Sequence, residues 1–285
     1  MRTAEYLREV YSVAWGDLVY IKENLPEVMI TGLVGPLLYL LAFGYGVGGS
    51  MQGGGEEYVR FILPGIIALT TVACTFSSTS MRVLVQRLFY MSFDELLLCP
   101  VRVSSVILGK TLSGMIRSLI SCTILLIVGC IISPGIDPNP LIFPVIIAGG
   151  LMFSMFGLLA ALVTSKTQHL TLITSIFIVP MTFLCGTLFK VSDLPEVVSW
   201  AVYVLPLTHI SELSRGIMLD EGIPLDSIII VAIYICLFFG LCYRRIATRR
   251  NRPGTRPPAS YRPRRTRRGT SSTPMPWTWS PRSGT

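Results

Sequence analysis

Gly109-Lys110-Thr111 has the form of the closing residues of a phosphate-binding loop, where backbone N–H groups cradle a nucleotide and the lysine reaches its outer phosphates. The pattern G-x-x-x-x-G-K-[ST] needs a glycine at position 104, and Ser104 stands there. No strand precedes the tripeptide, which opens an apolar helix, so nucleotide binding by this chain is rejected. General acid–base chemistry is equally thin. The two histidines, His169 and His209, fall on opposite sides of a membrane once topology is read, and neither G-x-S-x-G nor H-E-x-x-H occurs. The seven cysteines (Cys74, Cys99, Cys122, Cys130, Cys185, Cys236 and Cys242) lie mostly in apolar runs and form no C-x-x-C pair. They read as inert packing thiols, with no zinc site and no disulfide framework. No acid falls inside an apolar run, which weighs against a proton-driven transporter. No catalytic residue and no metal site is therefore expected.

The elements behind these residues are membrane helices. Hydrophobic residues make up 51% of the 285-residue chain and charged residues only 14%, against roughly a quarter charged in soluble domains. The net charge of +8 is local: residues 244–285 hold twelve basic and no acidic side chains, leaving residues 1–243 at −4. That distribution describes a basic tail, and no nucleic-acid partner is expected. The first 27 residues carry Glu5, Glu9, Asp17, Glu23 and Glu27 and lack the apolar core of a signal peptide, so the first span is expected to direct insertion.

A crossing takes about 20 apolar residues. Six spans are expected, at about 28–47, 61–81, 106–132, 141–165, 170–189 and 225–244. The third contains Lys110, near enough to its start to snorkel, and Arg117 two turns further in, which must face protein, water or a headgroup. The fourth is rich in small residues, which suit either an amphiphilic cargo or helix packing. The run 197–218 carries Pro206, His209, Glu212 and Arg215, so it reads as an interfacial or re-entrant excursion rather than a crossing. Arg2, Arg8, Lys22, Arg82, Arg87, Arg102, Lys166 and the tail lie on one side. The other side holds Arg60, Lys190 and Arg215 against nine acids, which places both termini in the cytoplasm.

Before the first span, Tyr6, Leu7, Val10, Val13, Ala14, Leu18 and Ile21 recur at helical spacing, as in a helix lying in the interface. Residues 1–246 form the membrane domain. Residues 247–285 form a Pro/Arg/Ser-rich tail expected to be disordered, whose arginines would attract anionic membrane lipid at about 1 kcal/mol each.

Between the second and third spans runs Phe93-Asp94-Glu95-Leu96-Leu97-Leu98-Cys99-Pro100-Val101-Arg102. A short amphipathic helix ended by a proline there is either a docking element for another protein or a plain interfacial turn. The chain resembles the membrane subunits of ABC-2 type exporters, the permeases of nodulation-factor, drug-resistance and polysaccharide export. Tyr58 to Ile66, with Pro64-Gly65, matches the approach to span 2 in that family. Glu95-Leu96-Leu97, Pro100 and Leu108-Gly109-Lys110 match its cytoplasmic helix and the start of span 3. Pro206-Leu207-Thr208-His209, Glu212 and Arg215-Gly216 match its late run. Leu96 departs from the pattern, which often has a basic residue after the acid.

The resemblance implies an all-α polytopic membrane protein with six transmembrane helices, an interfacial N-terminal helix, and a re-entrant segment (Pro206, Thr208, His209, Glu212, Arg215) before the last span. It implies a coupling helix (Phe93, Asp94, Glu95, Leu96, Leu97, Pro100) seated on a separate cytoplasmic ATPase subunit. That subunit would bind ATP and Mg²⁺, leaving this chain without a cofactor. It further implies pairing with a second permease copy, and export. Glu212 and Arg215 are spaced to pair on one helix face. A stand-alone secondary transporter or channel is the alternative reading, and a membrane-embedded enzyme a third. The substrate is not specified, because such scaffolds carry many cargoes.

Overall fold

The structure, a computed structural model, describes residues 2–42, 55–132, 139–184, 202–219, 222 and 224–250. Its elements are α1 (Arg2–Glu23), α2 (Leu25–Leu41), α3 (Gly55–Leu88), α4 (Ser92–Leu98), α5 (Val103–Ile132), α6 (Ile142–Val163), α7 (Thr167–Ile173), α8 (Val179–Leu184), α9 (Pro206–Met218) and α10 (Leu225–Arg250). No strand occurs among the described residues. In hydrocarbon every backbone N–H and C=O must be satisfied within the chain, which leaves helices as the form these apolar runs take.

Four of the six expected spans are single helices long and apolar enough to cross a membrane: α3, α5, α6 and α10. The expected first span corresponds to α2, which holds 17 residues; positions 43–47 lie outside the described residues. It meets α1 at a bend of 82°, at Asn24 with a proline in the first turn that follows. The expected fifth span is interrupted: α7 passes through a π turn at Thr174–Ile178 into α8, and positions 185–189 lie outside the described residues. α10 continues to Arg250, so residues 247–250, expected in the tail, are helical; 251–285 lie outside the described residues.

α3 is the central helix, with 78% of its apolar stretch buried against 22% for α10. Its buried face is built from hydroxyls: Thr70, Thr71 and Thr75 donate to the carbonyls of Ile66, Ile67 and Thr71 four residues back. Those bonds satisfy the side chains without spending bulk, so α6 comes close enough for Thr79 Oγ1 and Ser154 Oγ to bond at 3.0 Å. The small residues of α6 serve this packing, with Gly157 against the Phe76 backbone and Gly149 facing Thr71. Phe156 packs at a tilt against Phe76 (5.2 Å) and stacks on Phe238 (5.1 Å), which ties α3, α6 and α10 together.

The helix ends expected in the cytoplasm share one end of the bundle. Arg87, at the end of α3, is buried and donates to the carbonyls of Ala161 and Thr164 at the end of α6. Arg249 of α10 donates to the Leu162 carbonyl at 3.3 Å, and Arg250 to that of Val101 at 3.0 Å. Arg87 and Arg249 thus meet the orphan carbonyls and negative dipole end of α6.

Candidate functional site

The turn into α4 is made by Met91, whose φ of 54° is left-handed and reverses the chain out of α3. The helix then presents two faces. Phe93 (1% exposed) and Leu97 (5%) stand four residues apart and insert into the main core cluster, which also holds Val83, Leu84, Val106 and Ile107. Asp94 and Leu96 are half-buried, and Glu95, Leu98, Cys99 and Pro100 are exposed. Phe93 and Leu97 are thus anchors, and only the rest of the expected coupling set is available to a partner. Phe89, Tyr90, Met91 and Leu98 extend the outer surface, each more than half exposed. Leu98 stands in the run expected to dock a partner, whereas Phe89-Tyr90-Met91, just past an apolar run, were a visible signal left out of it.

Gly109 and Lys110 serve the N-terminal helix. A Cβ on Gly109 would lie 2.7 Å from Val13 Cβ and 3.0 Å from the Val10 carbonyl oxygen, so α1 lies directly on α5 at this position. Lys110 was expected to snorkel; it is 7% exposed and turns inward, where Nζ meets Asp17 Oδ2 at 3.0 Å and Gln86 Oε1 at 2.7 Å. The burial of Asp17 made inward pairing the better state for it. Asp17 Oδ1 accepts from Arg82 Nε at 2.6 Å and Gln86 Nε2 at 3.0 Å, and the Arg82 guanidinium lies over the Tyr20 ring. Burial acts to raise the Asp17 carboxyl, but the charges of Lys110 and Arg82 and the bonds from both outweigh it, holding the group below its ordinary 3.8. Nearer the chain start, Glu9 Oε2 accepts from Ser105 Oγ at 2.9 Å at the beginning of α5. Val13, Ala14 and Ile21 are buried as their spacing suggested, whereas Leu7 is exposed. Pro64 and Gly65 are buried inside α3.

α9 sits at the other end of α3. It packs on α3, α6 and α10, with Met218 beside Val59 and Ile62 in the second core cluster. Its approach lies alongside α10, where Tyr234 Oη donates to the Val204 carbonyl. Thr208 Oγ1 donates to the Val202 carbonyl at 2.7 Å and closes the turn that Pro206 begins. The expected Glu212–Arg215 pairing is replaced by other partners. Arg215 stacks its guanidinium 4.6 Å from the Phe61 ring centroid, and Glu212 Oε2 accepts from Ser227 Oγ at 2.8 Å. His209 is fully buried; its Nε2 donates to the Tyr203 carbonyl at 2.9 Å and its Nδ1 lies 3.1 Å from Ser227 Oγ. Ser227 has one hydroxyl proton for two neighbours. His209 Nδ1 and Glu212 Oε2 stand 3.8 Å apart, on either side of that hydroxyl.

Removing that hydroxyl leaves the fully buried His209 Nδ1 without its neighbour, while the Glu212 side chain, 35% exposed, keeps access to water. S227A is expected to lose about 1–3 kcal/mol, the penalty for buried polar groups left without a partner, and S227T to recover most of it. Thermal unfolding in detergent checks this, and equal midpoints for S227A and the parent would contradict it.

The α4 and α9 residues therefore sit at opposite ends of the bundle and do not form one site. Residues 9–219, from within α1 to the end of α9, match the family described as ABC-2 type transporter, and the chain belongs to that family. The match takes in every motif from Tyr58 to Gly216, and α10 lies beyond it. Among curated relatives, Nodulation protein J of Neorhizobium galegae is 24% identical over 205 residues, covering 71% of this chain and 78% of that one. Nodulation protein J of Rhizobium meliloti strain 1021 is 28% identical over 205 residues (69% and 75%). The inner membrane transport permease YadH of Escherichia coli K12 is 21% identical over 226 residues (77% and 87%). The chain is accordingly a membrane transport protein of the ABC-2 family.

Proposed function

We propose that this chain is the permease subunit of an ABC exporter in the cytoplasmic membrane, driven by ATP hydrolysed in a separate cytoplasmic subunit. The carrying observation is the two-sided build of α4: Phe93 and Leu97 wedged into the core, and Tyr90, Met91, Glu95, Leu98 and Pro100 left outside. An exposed apolar surface of this size beside one acid suits a protein partner. A partner that closes on ATP would push on α4, and the two anchors would pass that displacement to α3 and α5 as a rigid body. ATP and Mg²⁺ belong to the partner. A second copy of the permease completes the assembly, both termini face the cytoplasm, and α9 is the re-entrant element before the last span.

The test separates docking from folding. A tagged E95K/L98D chain, co-expressed with an ABC ATPase subunit that the parent chain captures, is expected to fold normally yet bind that subunit roughly thirtyfold more weakly, as for loss of a ~2 kcal/mol hot spot. F93A instead is expected to lose about 3–5 kcal/mol of stability, the range for truncating a buried phenylalanine. Undiminished ATPase capture and ATP-driven transport by E95K/L98D would sink the assignment. Flux driven by an ion gradient, without any ATPase, would favour the stand-alone transporter.

A further inference from the structure

Residues 227–243 of α10 carry no charge. At a rise of 1.5 Å per residue they span about 26 Å, close to the hydrocarbon thickness of roughly 30 Å, so Arg244 and Arg245 stand at the level of lipid phosphates. The four arginines at this end of α10 divide in two. Arg249 and Arg250 turn to the carbonyls of Leu162 and Val101, at 3.3 and 3.0 Å. Arg244 and Arg245 are exposed, and among the described residues neither guanidinium has a hydrogen bond or ion pair. Helical spacing puts Arg244 in one stripe with Leu237 and Leu241, which are 50% and 39% exposed. The buried side chains Phe238, Cys242 and Ile246 occupy the opposite face. One turn before Arg244, Gly240 leaves a notch in the stripe: no atom lies within 4 Å of its Cβ position.

Depth and charge together select the occupant. The stripe is apolar at hydrocarbon depth and cationic at the phosphate level, and no acid follows Asp226 in the chain. Asp94 of α4 acts with Arg249 on the buried Arg87, on the inward side of α10. A soluble protein in the cytoplasm cannot reach Leu237 inside the hydrocarbon. A second permease copy, turned about an axis along the membrane normal, would bring its own Arg244 to the same depth, like charge against like. A phosphate carried on hydrocarbon chains fits both levels. We propose that this face of α10 binds an anionic phospholipid, its phosphate on Arg244 and Arg245 and an acyl chain running past Leu241 and the Gly240 notch to Leu237. The orientation proposed above makes this the cytoplasmic leaflet, and only that placement rests on it.

The experiment places the purified full chain in mixed micelles with phosphatidylglycerol or phosphatidylcholine carrying a diazirine in the acyl chain, and maps the adducts by peptide mass spectrometry. No ATPase is present, so the result does not depend on the proposed coupling. Residues 233–241 of the parent are expected to take more label from phosphatidylglycerol. R244Q/R245Q is expected to lose that excess, an effect of about fivefold for each arginine at the membrane surface, while R249Q/R250Q keeps it. G240F fills the notch with every charge in place and is expected to cut labelling by both lipids, with thermal unfolding monitoring the fold. Glycerol 3-phosphate at constant ionic strength is expected not to compete. Equal labelling of the parent by the two lipids, an excess that survives R244Q/R245Q, or parent-like labelling of G240F overturns the proposal. So does competition by glycerol 3-phosphate, which marks a soluble-anion site, or a photoreactive residue in place of Leu237 that joins a second permease chain.

Discussion

Asp17→Leu is expected to destabilise the protein by about 3–5 kcal/mol, because it leaves Lys110 charged and buried without its counter-ion. Lys110 is 7% exposed and Asp17 only 2%, so water does not compensate for the loss. Arg82 is less affected: its side chain is 24% exposed and lies over Tyr20. Asp17→Asn keeps the hydrogen-bonding shape and loses only the charge, so a smaller drop is expected. The double change Asp17→Leu/Lys110→Met is expected to return most of the stability, since removing both members of a buried pair avoids the stranded charge. Thermal unfolding of the parent, Asp17→Leu, Lys110→Met and the double change in one detergent gives the coupling directly, and additivity would show that the pair does not hold α1 in place.

The same pair sets an acid response. The folded-state carboxyl lies below its ordinary 3.8, so its contribution is fully present above about that value. It is lost as pH falls through the lower, folded-state value, when the proton displaces the ion pair. No change is expected between pH 6 and 8. Asp17→Asn should lack this part of the acid loss, and an equally steep acid transition in that variant would point to another carboxylate.

Gly157→Leu is expected to prevent α3 and α6 from assembling at all. A Cβ at this position already lies 2.8 Å from the Phe76 carbonyl oxygen, 3.3 Å from its Cα and 3.4 Å from the Ser80 nitrogen. All three are backbone atoms of the central helix, which cannot rotate away as a side chain would. Alanine gains helix propensity of roughly 0.5–1 kcal/mol, yet the overpacking term of about 1–3 kcal/mol is larger. Gly157→Ala should therefore be a net loss. Gly240 has no atom within 4 Å of its Cβ position, so Gly240→Ala should be neutral or stabilising and serves as the control. Parent-like yield and unfolding temperature for Gly157→Leu would show that the helices stand further apart.

Much of the architecture was legible in advance. The apolar runs that became α3, α5, α6 and α10 need no partner to be recognised, because length and lack of charge suffice in a bilayer. Gly109-Lys110 was visible as a motif, but its use was not. Its meaning rests on Asp17, which stands in the buried stripe of α1 with Val10, Val13, Ala14 and Ile21 at helical spacing and was read only as one more N-terminal acid. α4 was recognised as an element, while its anchors and its open face were taken together. Burial of Phe93 and Leu97 depends on where α3 and α5 diverge, which the seven residues of α4 do not encode.

Sequence alone determined that the chain lies in a bilayer, where its apolar segments fall and which end gathers the arginines, since these follow from transfer of single side chains between water and hydrocarbon. Tertiary structure decided the partners: Lys110 with Asp17, Glu212 with Ser227 and His209, Arg87 with the end of α6. Such choices turn on helix crossing and depth, and spacing within one helix carries no information about what another helix brings to the same level.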